Sequence, residues 1–272
     1  MSSTLEHTLP AIGRGGPAVV VGGAGADVRW VSLRGPGAPV ELSCGAAFVE
    51  PSSADDLPAI AERAAGVVVG DWWVRDRALV RAVGGLGLPV IVRRAPGAGV
   101  EQWLEIAALV EAEGSPQVIL CTSGDLDLPV GERPVLADIS GNIRLAAAAV
   151  AAGADGVLLA PSDDATAARE AVALVGALLR PESPSTLGEC RAAIDRVDAA
   201  LATLLERRAA LAGVVQTLKP VGGFAGRDPE RERSLVATMA RRAPTLGETR
   251  LAPIMNAVIE AGLHLAEERR RS

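Results

Sequence analysis

The chain lacks tyrosine altogether, has two phenylalanines, and is only 2% aromatic across 272 residues. Small aliphatic residues and arginine dominate instead, a bias that points to a high-GC coding source more than to a function. Cysteine is also scarce: Cys44, Cys121 and Cys190 are scattered without metal-ligand spacing, and the first two stand in apolar, strand-like surroundings, so buried reduced thiols are expected there. No apolar run reaches the roughly 18 residues of a membrane span. Met1 to Gly16 contains no apolar core of signal-peptide length. A cytoplasmic protein is expected. With a net charge of -6, the chain has no positive surplus for a nucleic-acid surface.

What is present is enough for two domains, with 49% hydrophobic residues to fill their cores. Residues 1–17 read as a flexible lead-in. Apolar runs then follow at 18–22 and 28–33, with a hairpin expected from 28–33 to 40–42 across the turn-rich Arg34–Pro39. From Ala46 the pattern is regular. Strand-like runs at 46–49, 67–69, 89–92, 117–121, 134–137 and 156–159 alternate with helical stretches near 54–64, 74–84, 101–113, 143–152 and 164–179. Such alternation with short loops predicts a parallel sheet closed into a shortened (β/α) barrel over residues 18–180. The segment 181–186, rich in Pro and Ser, reads as a short stiff linker whose Ser185 or Thr186 caps the next helix.

Residues 187–272 are different in kind. Ile194, Val197, Leu201, Leu204, Leu211, Val215 and Leu218 recur at the spacing of a long helix in a bundle or coiled coil. Arg191 and Arg208 interrupt that stripe, and Lys219 follows it. On their own these cations read equally as rim residues whose stems cover apolar surface. The next segment shifts that balance: Gly222-Gly223 make a loop, Asp228 is a good N-cap, Pro229 suits the first helical position, and Arg231 and Glu232 fall in the first turns. The closing Arg269-Arg270-Arg271 suits the negative end of a last helix.

Arg191, Arg208, Lys219, Asp228, Arg231 and Glu232, in this order and spacing, resemble the signature of the all-helical chorismate mutases. The resemblance implies a three-helix domain that intertwines into a homodimer. It implies Arg191 acting from the partner chain, Arg208 and Arg231 clamping the two carboxylates of chorismate, Lys219 donating to the ether oxygen of the breaking bond, and Asp228 and Glu232 binding the ring hydroxyl. The family's serine and glutamine on the third helix correspond to Gly262 and Ala266, so the second donor to the ether oxygen is missing; His264 is a neighbouring candidate for that role. A pericyclic rearrangement needs no nucleophile, cofactor or metal, only a folded dianion and charge stabilised where it develops.

A second resemblance lies in Leu88 to Cys121, with Val49-Glu50-Pro51, Val67–Gly70 and Gly153–Gly156. These are similar to 3-deoxy-arabino-heptulosonate 7-phosphate synthase, the first enzyme of the shikimate pathway. The resemblance implies its barrel without its chemistry. Its metal ligands fall at Ala24, Gly141 and Ala160, leaving Asp138; its Lys-Pro-Arg loop has no counterpart; and Arg93-Arg94 and Thr122-Ser123 replace its phosphate-binding pairs. Arg93 and Arg94 otherwise read as a surface pair at a barrel mouth, and Trp72-Trp73 as a plug or contact surface there. The expected function is rearrangement of chorismate to prephenate beside a non-catalytic barrel. The alternatives are a 4-amino-4-deoxychorismate mutase, an isochorismate pyruvate lyase, or a non-catalytic scaffold protein. Another shikimate-pathway enzyme is a further candidate partner.

Overall fold

The structure, a computed structural model, describes residues 12–34, 47–124, 126, 128–129, 131–219 and 221–271. Two compact units are present, Met1–Val197 and Asp198–Ser272.

The first is a closed barrel of eight strands, β1 (Val19–Gly22), β2 (Val28–Ser32), β3 (Ala47–Glu50), β4 (Gly66–Val69), β5 (Val90–Arg93), β6 (Val118–Cys121), β7 (Val135–Asp138) and β8 (Gly156–Leu158). Every neighbouring pair is parallel, and β8 returns to β1 through Val20 opposite Val157. Alternation along the strands makes two cores. Val21, Trp30, Phe48, Val68, Ile91, Ile119, Leu136 and Leu158 fill the lumen. Val67, Val69, Val90 and Val92 face outward under α2 (Arg77–Gly84) and α3 (Val100–Ala112). Around the rest of the barrel lie α1 (Leu57–Arg63), α4 (Ala146–Ala151) and α5 (Thr166–Leu179).

The expected hairpin after β2 is not there: β2 pairs in parallel with both β1 and β3. The register explains it. Val21 and Gly22, at the end of β1, lie opposite Val28 and Arg29, at the start of β2, so the staggered strands need only the short segment between them. Residues 40–42, Cys44 and most of the lead-in lie outside the described residues. The barrel has all eight strands, and no helix lies between β1 and β2.

Of the two readings of Trp72-Trp73, burial excludes the contact surface. Trp73 is fully buried under the helical layer and donates Nε1–H to the Arg93 carbonyl at 2.8 Å. Trp72, 5% exposed, donates to Glu50 Oε1 at 3.2 Å. Neither forms a surface. Trp30 fills the lumen instead, with the Arg93 guanidinium 5.7 Å from its ring and its own N–H on the Leu159 carbonyl.

The helix α6 (Leu187–Leu218) enters the second unit at Asp198, and α7 (Pro229–Ala240) and α8 (Gly247–Arg271) complete that unit. Thr186 Oγ1 accepts from Glu189 N–H while the Glu189 carboxylate accepts from Ser185 and Thr186 N–H, a reciprocal cap at the start of α6. Arg196, in the third turn of α6, makes a two-pronged ion pair with Glu182 of the segment before the helix. No helix among the described residues is long and apolar enough to cross a membrane.

Candidate active site

The second half of α6 presents Arg208, Leu211, Ala212, Val215, Gln216 and Lys219 at intervals of three and four residues, so they share one helix face. That face lines a cavity of about 250 Å³ whose remaining wall comes from the turn after α6, the first turns of α7, and Ile259, Gly262 and Leu263 of α8. Leu211, Val215, Leu235, Ile259 and Leu263 give it an apolar floor; Arg208, Lys219, Arg227 and Arg231 give it four cations against the carboxylates of Asp228 and Glu232.

Most of these polar groups are held by a local device. Asp228 caps α7, its Oδ1 accepting from the N–H groups of Glu230 and Arg231 at 3.2 and 3.0 Å, and Pro229 opens the helix where no N–H is needed. Arg208 reaches α8 and donates to the Val258 carbonyl at 3.2 Å. Lys219 Nζ donates to the Gly226 carbonyl at 2.8 Å. Gln216, buried at 9% exposure, accepts the Gly223 N–H at 2.7 Å through Oε1. The turn itself depends on glycine. Gly223 has φ 69°, and a Cβ on Gly226 would lie 2.1 Å from the Val221 carbonyl oxygen.

Glu232 is the most constrained anion. Both of its oxygens accept from Arg227, at 3.0 Å from Nε and 2.6 Å from Nη2. This bidentate bond, more than any other influence, holds the Glu232 carboxyl below its ordinary value. The same guanidinium reaches Glu260 at 3.1 Å and Asn256 at 2.7 Å, both on α8.

Of the residues expected from sequence, Arg208, Lys219, Asp228, Arg231, Glu232 and Gly262 come together around the cavity. Arg191 does not line it and is exposed on α6. Ala266, 9% exposed, lies one turn beyond Gly262 and outside the lining. His264 packs edge-on against Phe224, ring centres 4.9 Å apart, and is not part of the wall. Two polar lining residues were missed. Gln216 could have been found from its place one turn before Lys219 on the Arg208 face; Arg227 carries no signal of its own in the sequence.

The barrel mouth offers a contrasting picture. Asp138, the one carboxylate expected at the positions of the synthase metal ligands, accepts from Arg93 Nη2 at 2.6 Å through Oδ2 and from Ser140 Oγ at 2.6 Å through Oδ1. Ala24, Gly141 and Ala160 add no ligating side chain, so the residues present do not fit a divalent metal. Cys121 is fully buried beside this pair, and burial pushes its thiol well up.

Residues 190–267 match the family Chorismate mutase type II. Two solved structures from Thermotoga maritima are similar to the chain. One is a truncated form of 3-deoxy-D-arabino-heptulosonate 7-phosphate synthase, at 24% identity and TM-score 0.40, covering 46% of this chain and 58% of that one. The other is phospho-2-dehydro-3-deoxyheptonate aldolase, at 18% identity and TM-score 0.46, covering 62% of this chain and 70% of that one. No curated protein matches the chain.

Proposed function

We propose that the helical region, a chorismate mutase type II domain by its match over residues 190–267, converts chorismate to prephenate. On this reading residues 187–272 form the catalytic domain, 181–186 the linker, and 18–180 a barrel without catalysis of its own. One observation carries the reading: the matched region encloses a cavity whose four cations exceed its two carboxylates by two, the charge of the chorismate dianion.

Arg208 and Arg231 hold the carboxylates, each able to offer a planar fork of N–H donors. Lys219 spends one of its three protons on Gly226, which orients the ammonium and leaves two for the ether oxygen. Negative charge growing on that oxygen meets a fixed cation above an apolar floor, where the attraction is stronger than in water. Glu232, ionised and acceptor-only, takes the ring hydroxyl together with Asp228. No proton moves. The enzyme contributes a folded substrate and a preorganised field.

The site is completed by a second copy of the chain. Ile194, Val197, Leu201 and Leu211 of α6 are 59, 51, 49 and 61% exposed, an apolar stripe at coiled-coil spacing that a partner helix would cover. Arg191 lies about 25 Å along α6 from Arg208 by helix rise, so it serves the cavity of its partner and not its own.

The test is loss of chorismate absorbance with purified protein and chromatographic identification of the product. Prephenate supports the proposal. Pyruvate release would move the assignment to a lyase, and an absence of turnover at high enzyme concentration would overturn it.

A further inference from the structure

The ring substituent at C4 separates chorismate from its 4-amino analogue: a neutral hydroxyl in one, an ammonium in the other. Two bare carboxylates would favour the ammonium. Neither carboxylate here is bare. Asp228 is committed through Oδ1 to two backbone N–H groups at the positive end of α7. Glu232 is gripped on both oxygens by Arg227.

We infer that Arg227 is the specificity-determining and positioning residue of this site, selecting a substrate with a ring hydroxyl over one with a ring ammonium. The inference rests on the proposed chorismate chemistry and extends it. Each Glu232 oxygen spends one lone pair on the guanidinium and keeps another to accept a neutral O–H. An ammonium bound to the same oxygens would stand a few ångströms from the Arg227 cation, and that repulsion removes most of what Glu232 could offer it. Glu232 is also faced by Lys219 from α6 and Asp228 at the cap, while Glu260 reaches it from α8 only through the shared guanidinium. Arg227 is thus the counter-charge that compensates Glu232 most directly. Its second role is mechanical. With Glu260 and Asn256 on its other edge, and Asn256 donating to Glu260 at 3.0 Å, it fixes the Glu232 carboxylate against α8.

The experiment compares kcat/KM for chorismate and for 4-amino-4-deoxychorismate in the wild-type protein and in Arg227→Ala and Arg227→Lys. Wild type should prefer chorismate. Arg227→Ala should shift the ratio toward the amino substrate by tenfold or more, mainly through KM, and Arg227→Lys, which keeps the charge without the fork, should shift it less. A ratio unchanged in Arg227→Ala, or a wild-type preference for the amino substrate, overturns the inference. Circular dichroism checks folding, and Arg227→Lys gives the same comparison should the alanine variant not fold. If wild type turns over neither compound, the proposed function fails separately; the ratio of dissociation constants from calorimetry then decides the role of Arg227 by the same criteria.

Discussion

Lys219 Nζ and the Gly226 carbonyl oxygen are 2.8 Å apart, so the ammonium at the cavity is aimed by the turn that leads into α7. Lys219→Ala is expected to remove nearly all rearrangement activity, a fall of about 10²–10³ in kcat, as for loss of one donor to a developing oxyanion. Gly226→Ala tests the aim separately from the charge. Its Cβ would lie 2.1 Å from the Val221 carbonyl, the turn must shift, and kcat should fall with Lys219 still present. Steady-state kinetics with equal wild-type and variant rates would show that the turn does not orient the lysine.

Ala266→Gln should raise kcat, by about tenfold if the restored amide contributes roughly 1.4 kcal/mol to the transition state. Gly262, one turn earlier, already faces the cavity, and its would-be Cβ would lie in ordinary van der Waals contact with Ala212 at 3.6 Å and Arg208 at 3.9 Å. A longer side chain at 266 therefore has a face of α8 to follow. An unchanged rate in a folded variant would mean that another group donates to the ether oxygen.

Sharing of Arg191 between copies predicts complementation. Arg191→Ala and Arg208→Ala should each be inactive alone, while a refolded mixture should regain about a quarter of the wild-type sites, because half the dimers then pair an intact Arg191 with an intact Arg208 once. Mixtures no more active than either parent, with dimers present by light scattering, would refute sharing in trans.

The acid limb of kcat/KM should lie below pH 4.5, the ordinary value of a glutamate, because Arg227 depresses the Glu232 carboxyl. The sign follows from linkage: a depressed carboxyl contributes fully above its unfolded value and loses that contribution as pH falls through its folded value. In Arg227→Ala the limb should move up toward 4.5. A pH–rate profile with coincident limbs in both proteins would contradict this.

Asp138→Ala should destabilise the barrel by about 2 kcal/mol, since it leaves the partly buried Arg93 without its anion. Thermal unfolding measures the loss, and chorismate turnover should persist. Wild-type protein supplied with manganese, phosphoenolpyruvate and erythrose 4-phosphate should form no condensation product, given the residues around Asp138; product formation would show that the barrel is catalytic.

Strand positions in the barrel were readable because buried parallel strands carry continuous Val, Ile and Leu runs, as in Val67–Val69 and Val90–Val92. The partner of β2 was not, since Arg34–Pro39 has the local chemistry of a turn and the pairing with β1 depends on a stagger that no local pattern encodes. The site divides in the same way. Cations that interrupt an apolar stripe, such as Arg208, stand out in the sequence. Arg227 grips Glu232 five residues on, but the Glu260 and Asn256 that hold its other edge come from a helix some thirty residues later, and nothing near it in the chain announces them.

The two glycines of the α6–α7 turn also govern how this site can change. Gly226 has a carbonyl where a side chain would begin, and Gly223 combines a positive φ with the Glu267 carboxylate 3.0 Å from a would-be Cβ. Almost any replacement at either position disturbs the anchors of Lys219 and Gln216 together. The turn is therefore a mutational cold spot. Under selection for a new substrate, adaptive changes should accumulate on the cavity faces of α6 and α8, where side chains can be exchanged singly, while the turn between Val221 and Arg227 passes through the lineage unchanged.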